Sequence, residues 1–186
     1  GRIADHFEAV LERMAANPRR PLSVITRLPE SEERRLASSS ERPSVEPLPY
    51  YRQVERVAAA TPSAEALVCG ADRLTYGELN VRANQLARRL RREGVGTNGR
   101  VGIFLDRSVH ALVALLAVSK AGGAFVGLDP AYPAERTRWM LDDAAVSVVI
   151  TERDRASVVA SGARVVLCLE DLGSSLGGEE GGNLEA

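Results

Sequence analysis

Apolar and polar positions along this chain follow two spacings, and the switches between them mark its elements. Between residues 100 and 130 (RVGIFLDRSVHALVALLAVSKAGGAFVGLDP), an apolar run at 101–105 is bounded by Gly99 and Asp106. That is the pattern of a strand buried on both faces. Ser108 is placed to cap a helix that is apolar almost all round through Val118, and a helix with no wet face must be covered on several sides. Gly122 and Gly123 stop it, and 124–128 reads as a second buried strand. Strand, helix and strand in about thirty residues predict one βαβ unit, with a parallel sheet and a right-handed crossover.

The flanking segments read in the same way. Ile3, Phe7, Val10, Leu11 and Met14 recur at helical spacing, so 3–16 is an amphipathic helix that Asn17-Pro18 ends. Residues 31–36 (SEERRL) read as a short charged turn, and 37–49 (ASSSERPSVEPLP) as a linker whose composition cannot build a core. Tyr51, Val54, Val57 and Ala58 predict a short helix closed by Thr61-Pro62. A strand at 66–69, a turn at 70–72 and a return strand beginning at Arg73 form a hairpin. Thr75 and Glu78 fit a capping box, after which Leu79, Ala83, Leu86 and Leu90 line one face of a long helix.

Beyond the central unit, 129–133 (DPAYP) is a stiff loop, and Pro133 suits the first turn of a helix running to Ala144, with Trp139, Met140 and Leu141 on its buried side. Strands at 146–151 and 165–169 flank a short helix at 154–160. The glycine-rich, acidic end at 173–186 carries no packing signal. The alternation from 100 to 169 indicates an α/β layer structure with strands at its centre.

Composition narrows the class. In 186 residues, 45% are hydrophobic, which suits a folded chain, and the formal charge of −1 offers no net attraction to nucleic acid or an anionic membrane. The apolar run at 109–118 is too short to cross a bilayer, and the N-terminus has no signal-peptide pattern. Cys69 and Cys168 each fall in a predicted strand, as expected for buried free thiols in a reducing cytosol.

Candidate chemistry is sparse. His6 and His110 are isolated, so no metal ligand set is expected. Gly94, Gly96 and Gly99 match G-x-G-x-x-G, but here a helix precedes the glycines and a strand follows, whereas a dinucleotide loop needs the reverse. Gly94 is instead a helix-ending residue. Arg88, Arg89, Arg91 and Arg92 offer cations for phosphates or a solvated helix face near a negative dipole end, and the second suffices. Lys120, the only lysine, is placed to offset the dipole at the end of the central helix. Asp142 and Asp143 point about a hundred degrees apart on a helix and read as surface acids.

Matched to a family, the same residues say more. LTYGELN (74–80), followed by NQLARRLRREGV (84–95), resembles the first core motif of nonribosomal peptide synthetase adenylation domains. VGIFLDRS (101–108) and AVSKAGGAFVGLDPAYPAERTRWMLDDA (117–144) resemble the segment that follows and the second core motif. Upstream, residues 4–36 resemble the last helix of a condensation domain and its exit. The resemblance implies a partial N-terminal subdomain of an adenylate-forming enzyme: an open, mostly parallel sheet with flanking helices at 50–186, preceded by a condensation-domain tail at 1–36 and a linker at 37–49.

It further implies a complete, cytoplasmic enzyme that uses Mg-ATP and an amino acid, loads phosphopantetheine on a carrier domain, and has the remaining synthetase domains as partners. The carried-over residues are structural: Leu74, Thr75, Tyr76, Glu78 and Leu79 at a helix start, Lys120, Ala121, Gly122 and Gly123 at a helix end, and Asp129 and Pro130 after a core strand. Gly127 departs from the family's usual proline. The family's phosphate loop is expected beyond Leu172, so no catalytic, cofactor-binding or metal residue is assigned, and the chain alone is expected not to catalyse. A non-catalytic scaffold, or an acyl- or aryl-activating ligase of the same superfamily, remains an alternative.

Overall fold

The computed structural model describes residues 2–19, 21, 28, 30–39, 48–171 and 180–184. They fall in two compact units, Gly1–Pro47 and Leu48–Ala186.

In the first unit, α1 (Arg2–Ala16) is the predicted amphipathic helix, with Asp5 in its first turn and Arg13 in its last complementing the helix dipole. The stretch read as a charged turn is instead helical, forming the middle of α2 (Glu30–Ser39). Glu, Arg, Leu and Ala are all good helix formers, and Glu32 and Arg35, 3.5 Å apart, add an i,i+3 pair. Ile3, Phe7, Val10 and Leu28 line an open groove of about 850 Å³. Residues 40–47 of the predicted linker lie outside the described residues; 37–39 close α2 and 48–49 lead into the next helix.

The second unit opens with α3 (Tyr50–Ala60), then a hairpin of β1 (Glu65–Cys69) and β2 (Asp72–Thr75), whose turn uses Gly70 at φ +61°. The capping box is present: Glu78 N donates to Thr75 Oγ1 at 3.2 Å, and Thr75 N donates to the Glu78 carboxylate at 2.8 Å. It starts α4 (Tyr76–Arg92), on which Leu79, Ala83, Leu86 and Leu90 are all buried as the spacing predicts. Gly94 ends α4 at φ +85°, with Gly94 N to Arg91 O and Val95 N to Leu90 O both at 3.0 Å, a Schellman closure.

A four-stranded parallel sheet follows, in the order β4-β3-β5-β6. Its members are β3 (Arg100–Phe104), β4 (Ala124–Gly127), β5 (Val148–Thr151) and β6 (Val165–Cys168). The connections are α5 (Val109–Ala121), α6 (Ala134–Asp143), and a 3₁₀ turn leading into α7 (Ala156–Val159). Alternation along the strands divides the core in two. Val101, Ile103, Val148 and Ile150 pack with buried residues of α4 and α5, while Phe104 and Val149 pack with Leu141 of α6 and Val159 of α7. Gly102 lets the second layer close: a Cβ there would stand 3.1–3.3 Å from Val149, Leu128 and Leu141 side chains.

Several expectations require correction. β4 is not a buried strand but an edge strand, with Phe125 48% exposed. Trp139 is 64% exposed, because α6 turns Thr137 and Leu141 inward instead. Cys69 is exposed and Cys168 half-buried, and both are free. Burial and the nearby Asp171 and Glu170 push the Cys168 thiol up. The acidic end also packs in part: Leu184 is buried in the α4–α5 core, while 172–179 lie outside the described residues.

Candidate functional site

An open parallel sheet offers ligands a crevice beyond the carboxyl ends of its strands, where successive connections diverge. Here that point is β3, since β4 lies on one side of it and β5 on the other. An open crevice of about 780 Å³ lies there, lined by Leu105, Asp106, Phe125, Asp129, Tyr132 and Met140 among others.

The carboxylates at and beside it are committed to the protein, and Arg107 is the one cationic side chain in its lining. Arg155 donates to Asp106 at 2.7 Å, which raises its pKa further above the ordinary range. Arg153 pairs with Asp171, and its backbone amide donates to both Glu170 oxygens at 3.0 and 3.1 Å, holding that carboxyl below its usual range. Asp129, a motif residue, opens the loop after β4: Asp129 Oδ1 accepts from Ala131 N at 2.9 Å, and its carbonyl accepts from Tyr132 N at 3.0 Å. Pro130 stiffens that turn, and the Arg136 guanidinium covers the Tyr132 ring at 4.4 Å.

A triphosphate needs converging amides or free cations. Arg153 and Arg155 are already bound to carboxylates at the strand ends, and Arg107 alone lines the crevice as a cation, so the lining has no converging set for that group. Among the described residues no cluster of three or more His, Cys, Asp or Glu is placed to hold a metal ion, and no helix is long and apolar enough to cross a membrane.

Another motif residue, Lys120, is a buried ion. The Lys120 side chain is 1% exposed, and its ammonium donates to Glu55 Oε1 at 2.6 Å, Asn84 Oδ1 at 2.7 Å and Asn80 Oδ1 at 2.8 Å. Arg52 holds the other Glu55 oxygen at 2.9 Å. All three ammonium protons are used, so this lysine is neither an available nucleophile nor a ligand-binding cation. Burial lowers its pKa, and the Glu55 carboxylate offsets that only in part.

Local sequence explains the placement. Leu74, buried at the end of β2, and the Thr75–Glu78 cap set where α4 begins, with Tyr76 N bonded to Ala64 O at 2.9 Å. Leu79 then turns Asn80 and Asn84, one helical turn apart, toward α5. Ala121 is buried, Gly122 turns the chain at φ +88°, and Gly123 has no room for a side chain, since a Cβ would meet Val95 Cγ1 at 2.8 Å and Gly99 O at 3.0 Å. Lys120 lies in the last turn of α5, as read, and its ammonium in addition makes a three-way bridge of α3, α4 and α5. Sequence reasoning missed Glu55, Asn80 and Asn84; two asparagines beside the apolar stripe of α4 and a solitary lysine were the available signal.

Comparison with known proteins agrees with this framework. Residues 54–180 match the family of AMP-binding enzymes. The chain is 37% identical over 175 residues to one of the proteins that make up the linear gramicidin synthase of Brevibacillus parabrevis, covering 91% of this chain and 3% of that protein. It is 38% identical over 186 residues to tyrocidine synthase 3 of the same organism, covering 98% of this chain and 3% of that protein. The nonribosomal peptide synthetase FmoA3, solved with α-methyl-L-serine-AMP bound, superposes with a TM-score of 0.67 at 27% identity, covering 76% of this chain and 16% of that one. The chain thus spans a few per cent of the length of the curated relatives it matches. Its parallel sheet is that of the N-terminal part of an AMP-binding domain, and the chain belongs to the AMP-binding enzyme family.

Proposed function

We propose that this chain is the opening part of an adenylation domain in a nonribosomal peptide synthetase, the complete enzyme activating an amino acid with Mg-ATP as its aminoacyl-AMP for loading on a phosphopantetheinyl carrier domain. The observation that carries this reading is the 38% identity to tyrocidine synthase 3, which extends over 98% of the chain and so beyond the family-matched 54–180 into the upstream segment. That extension supports assigning 1–36 to the tail of a condensation domain and 37–49 to a linker. The amphipathic α1, with Ile3 87% and Phe7 62% exposed, suits a helix whose apolar face belongs against another domain.

In this reading the residues of this chain build a scaffold and carry no chemical step. Leu74, Thr75, Tyr76, Glu78 and Leu79 start α4; Lys120, Ala121, Gly122 and Gly123 lock α5 and turn the chain into β4; Asp129 and Pro130 shape the loop at the crevice. The partners are the other synthetase domains, the setting is cytoplasmic, and the 186 residues do not adenylate by themselves.

Amino-acid-dependent exchange of labelled pyrophosphate into ATP tests this. A chain extended through the rest of the adenylation domain is expected to exchange, and the 186-residue chain is not. Exchange by the short chain overturns the scaffold assignment. Exchange by the extended chain with fatty or aryl acids alone places it among acyl- or aryl-activating ligases, and silence of the extended native product favours a non-catalytic scaffold.

A further inference from the structure

We propose that Lys120 is a positioning residue that, through the amides of Asn80 and Asn84, latches the returning segment 180–184 onto α4. Lys120 lies on α5, and its ammonium is spent on Glu55 and the two asparagines rather than on that segment. An asparagine amide accepts at one end and donates at the other, whereas an ammonium only donates. Both Oδ1 atoms therefore face Lys120, at 2.8 and 2.7 Å, and both Nδ2 groups are turned away from it.

There they meet the segment. Asn80 Nδ2 donates to Asn183 Oδ1 at 2.8 Å, and Asn84 Nδ2 donates to Gly181 O at 2.7 Å and Asn183 Oδ1 at 3.1 Å. Arg88, one turn along α4, donates to Glu180 O at 2.9 Å and Gly182 O at 2.7 Å. Gly181 sits close on Val81, where a Cβ would stand 3.0 Å from Val81 Cγ1, and Leu184 is 8% exposed in the core. Flipping either amide would set its oxygen against Asn183 Oδ1, and at Asn84 against Gly181 O as well, acceptor on acceptor. The buried charge thus decides which end of each amide faces out, and so whether the glycine-rich segment, with its high ordering cost, is held. The latch does not depend on the amino-acid-activating role.

Backbone order parameters from ¹⁵N relaxation on the full chain test it. Wild-type residues 181–183 are expected near the rigid value of about 0.85. Asn84→Asp, ionised at pH 8, still accepts from Lys120 but has nothing to donate to Gly181. It is expected to drop 181–183 below about 0.6 while the order parameters of β3 stay at the rigid value. Lys120→Met with Glu55→Leu removes both buried charges together, so that neither is orphaned, and is expected to loosen 181–183 in the same way. Wild-type mobility at 181–183, or unchanged order there in either variant, overturns the proposal.

Discussion

β4 (AFVG) and β5 (VVIT) are both four-residue strands of one parallel sheet, and each pairs with β3. Every residue of β5 is buried, with Val148, Val149 and Ile150 at 0% exposure, whereas β4 has no fully buried residue. Both sequences read as buried strands. What separates them is sheet order: β5 lies between β3 and β6 with helices on both faces, and β4 is at the edge beside an open crevice. Apolar composition specifies that a strand forms, and its neighbours decide how much that burial is worth, roughly 1.5–3 kcal/mol for each fully covered side chain.

The two strands are also entered differently. The turn before β4 uses Gly122 at φ +88°, while the one before β5 places Ala145 at φ +45°, with Ala145 N to Asp142 O at 3.0 Å and Val146 N to Leu141 O at 2.9 Å. The same helix-ending geometry is thus built once with glycine and once with a residue that is strained in it.

Truncation at the centre is expected to have the largest effect. Ile150→Ala should cost about 2–5 kcal/mol in urea unfolding; a loss under about 1 kcal/mol would mean that β5 is not the packed centre. Gly102→Ala should cost about 1–3 kcal/mol by crowding Val149, Leu128 and Leu141, with a lowered denaturation midpoint at an unchanged m-value. Gly122→Ala should cost about 1–2 kcal/mol, since a Cβ is penalised at that positive φ. The reverse exchange, Ala145→Gly, should stabilise by about 0.5–1 kcal/mol, seen as a raised melting temperature. Smallest is the edge: Phe125→Thr should shift stability by within about 0.5 kcal/mol and reduce concentration-dependent association in light scattering.

The capping box titrates. Hydrogen bonds from Thr75 hold the Glu78 carboxyl below its usual range. Its contribution is therefore complete above the pKa of the unfolded carboxyl and is lost as pH falls through the lowered value.

Local grammar is legible wherever a residue acts within its own turn of chain. Thr75 with Glu78, Ser108 over Ala111, Gly94 and Gly122 all perform the roles their spacing announces. Spacing misleads where the partner is distant. It turns Trp139 inward because helical periodicity gives a face without saying how wide a stripe the neighbours cover. Residues 180–184 carry no pattern because their anchors, Asn80, Asn84 and Arg88, lie about a hundred residues away.

By itself, then, the sequence determined the α/β alternation, the caps and stops of its helices and the family. Each of these rests on spacing within a few residues or on long ordered motifs. Only the tertiary structure decided that β4 lies at the edge and β5 at the centre, and that Lys120, at its helix end, is also a buried bridge to Glu55, Asn80 and Asn84. The reason is physical: burial and ion pairing depend on distances between elements, and those distances exist only once the layers have packed.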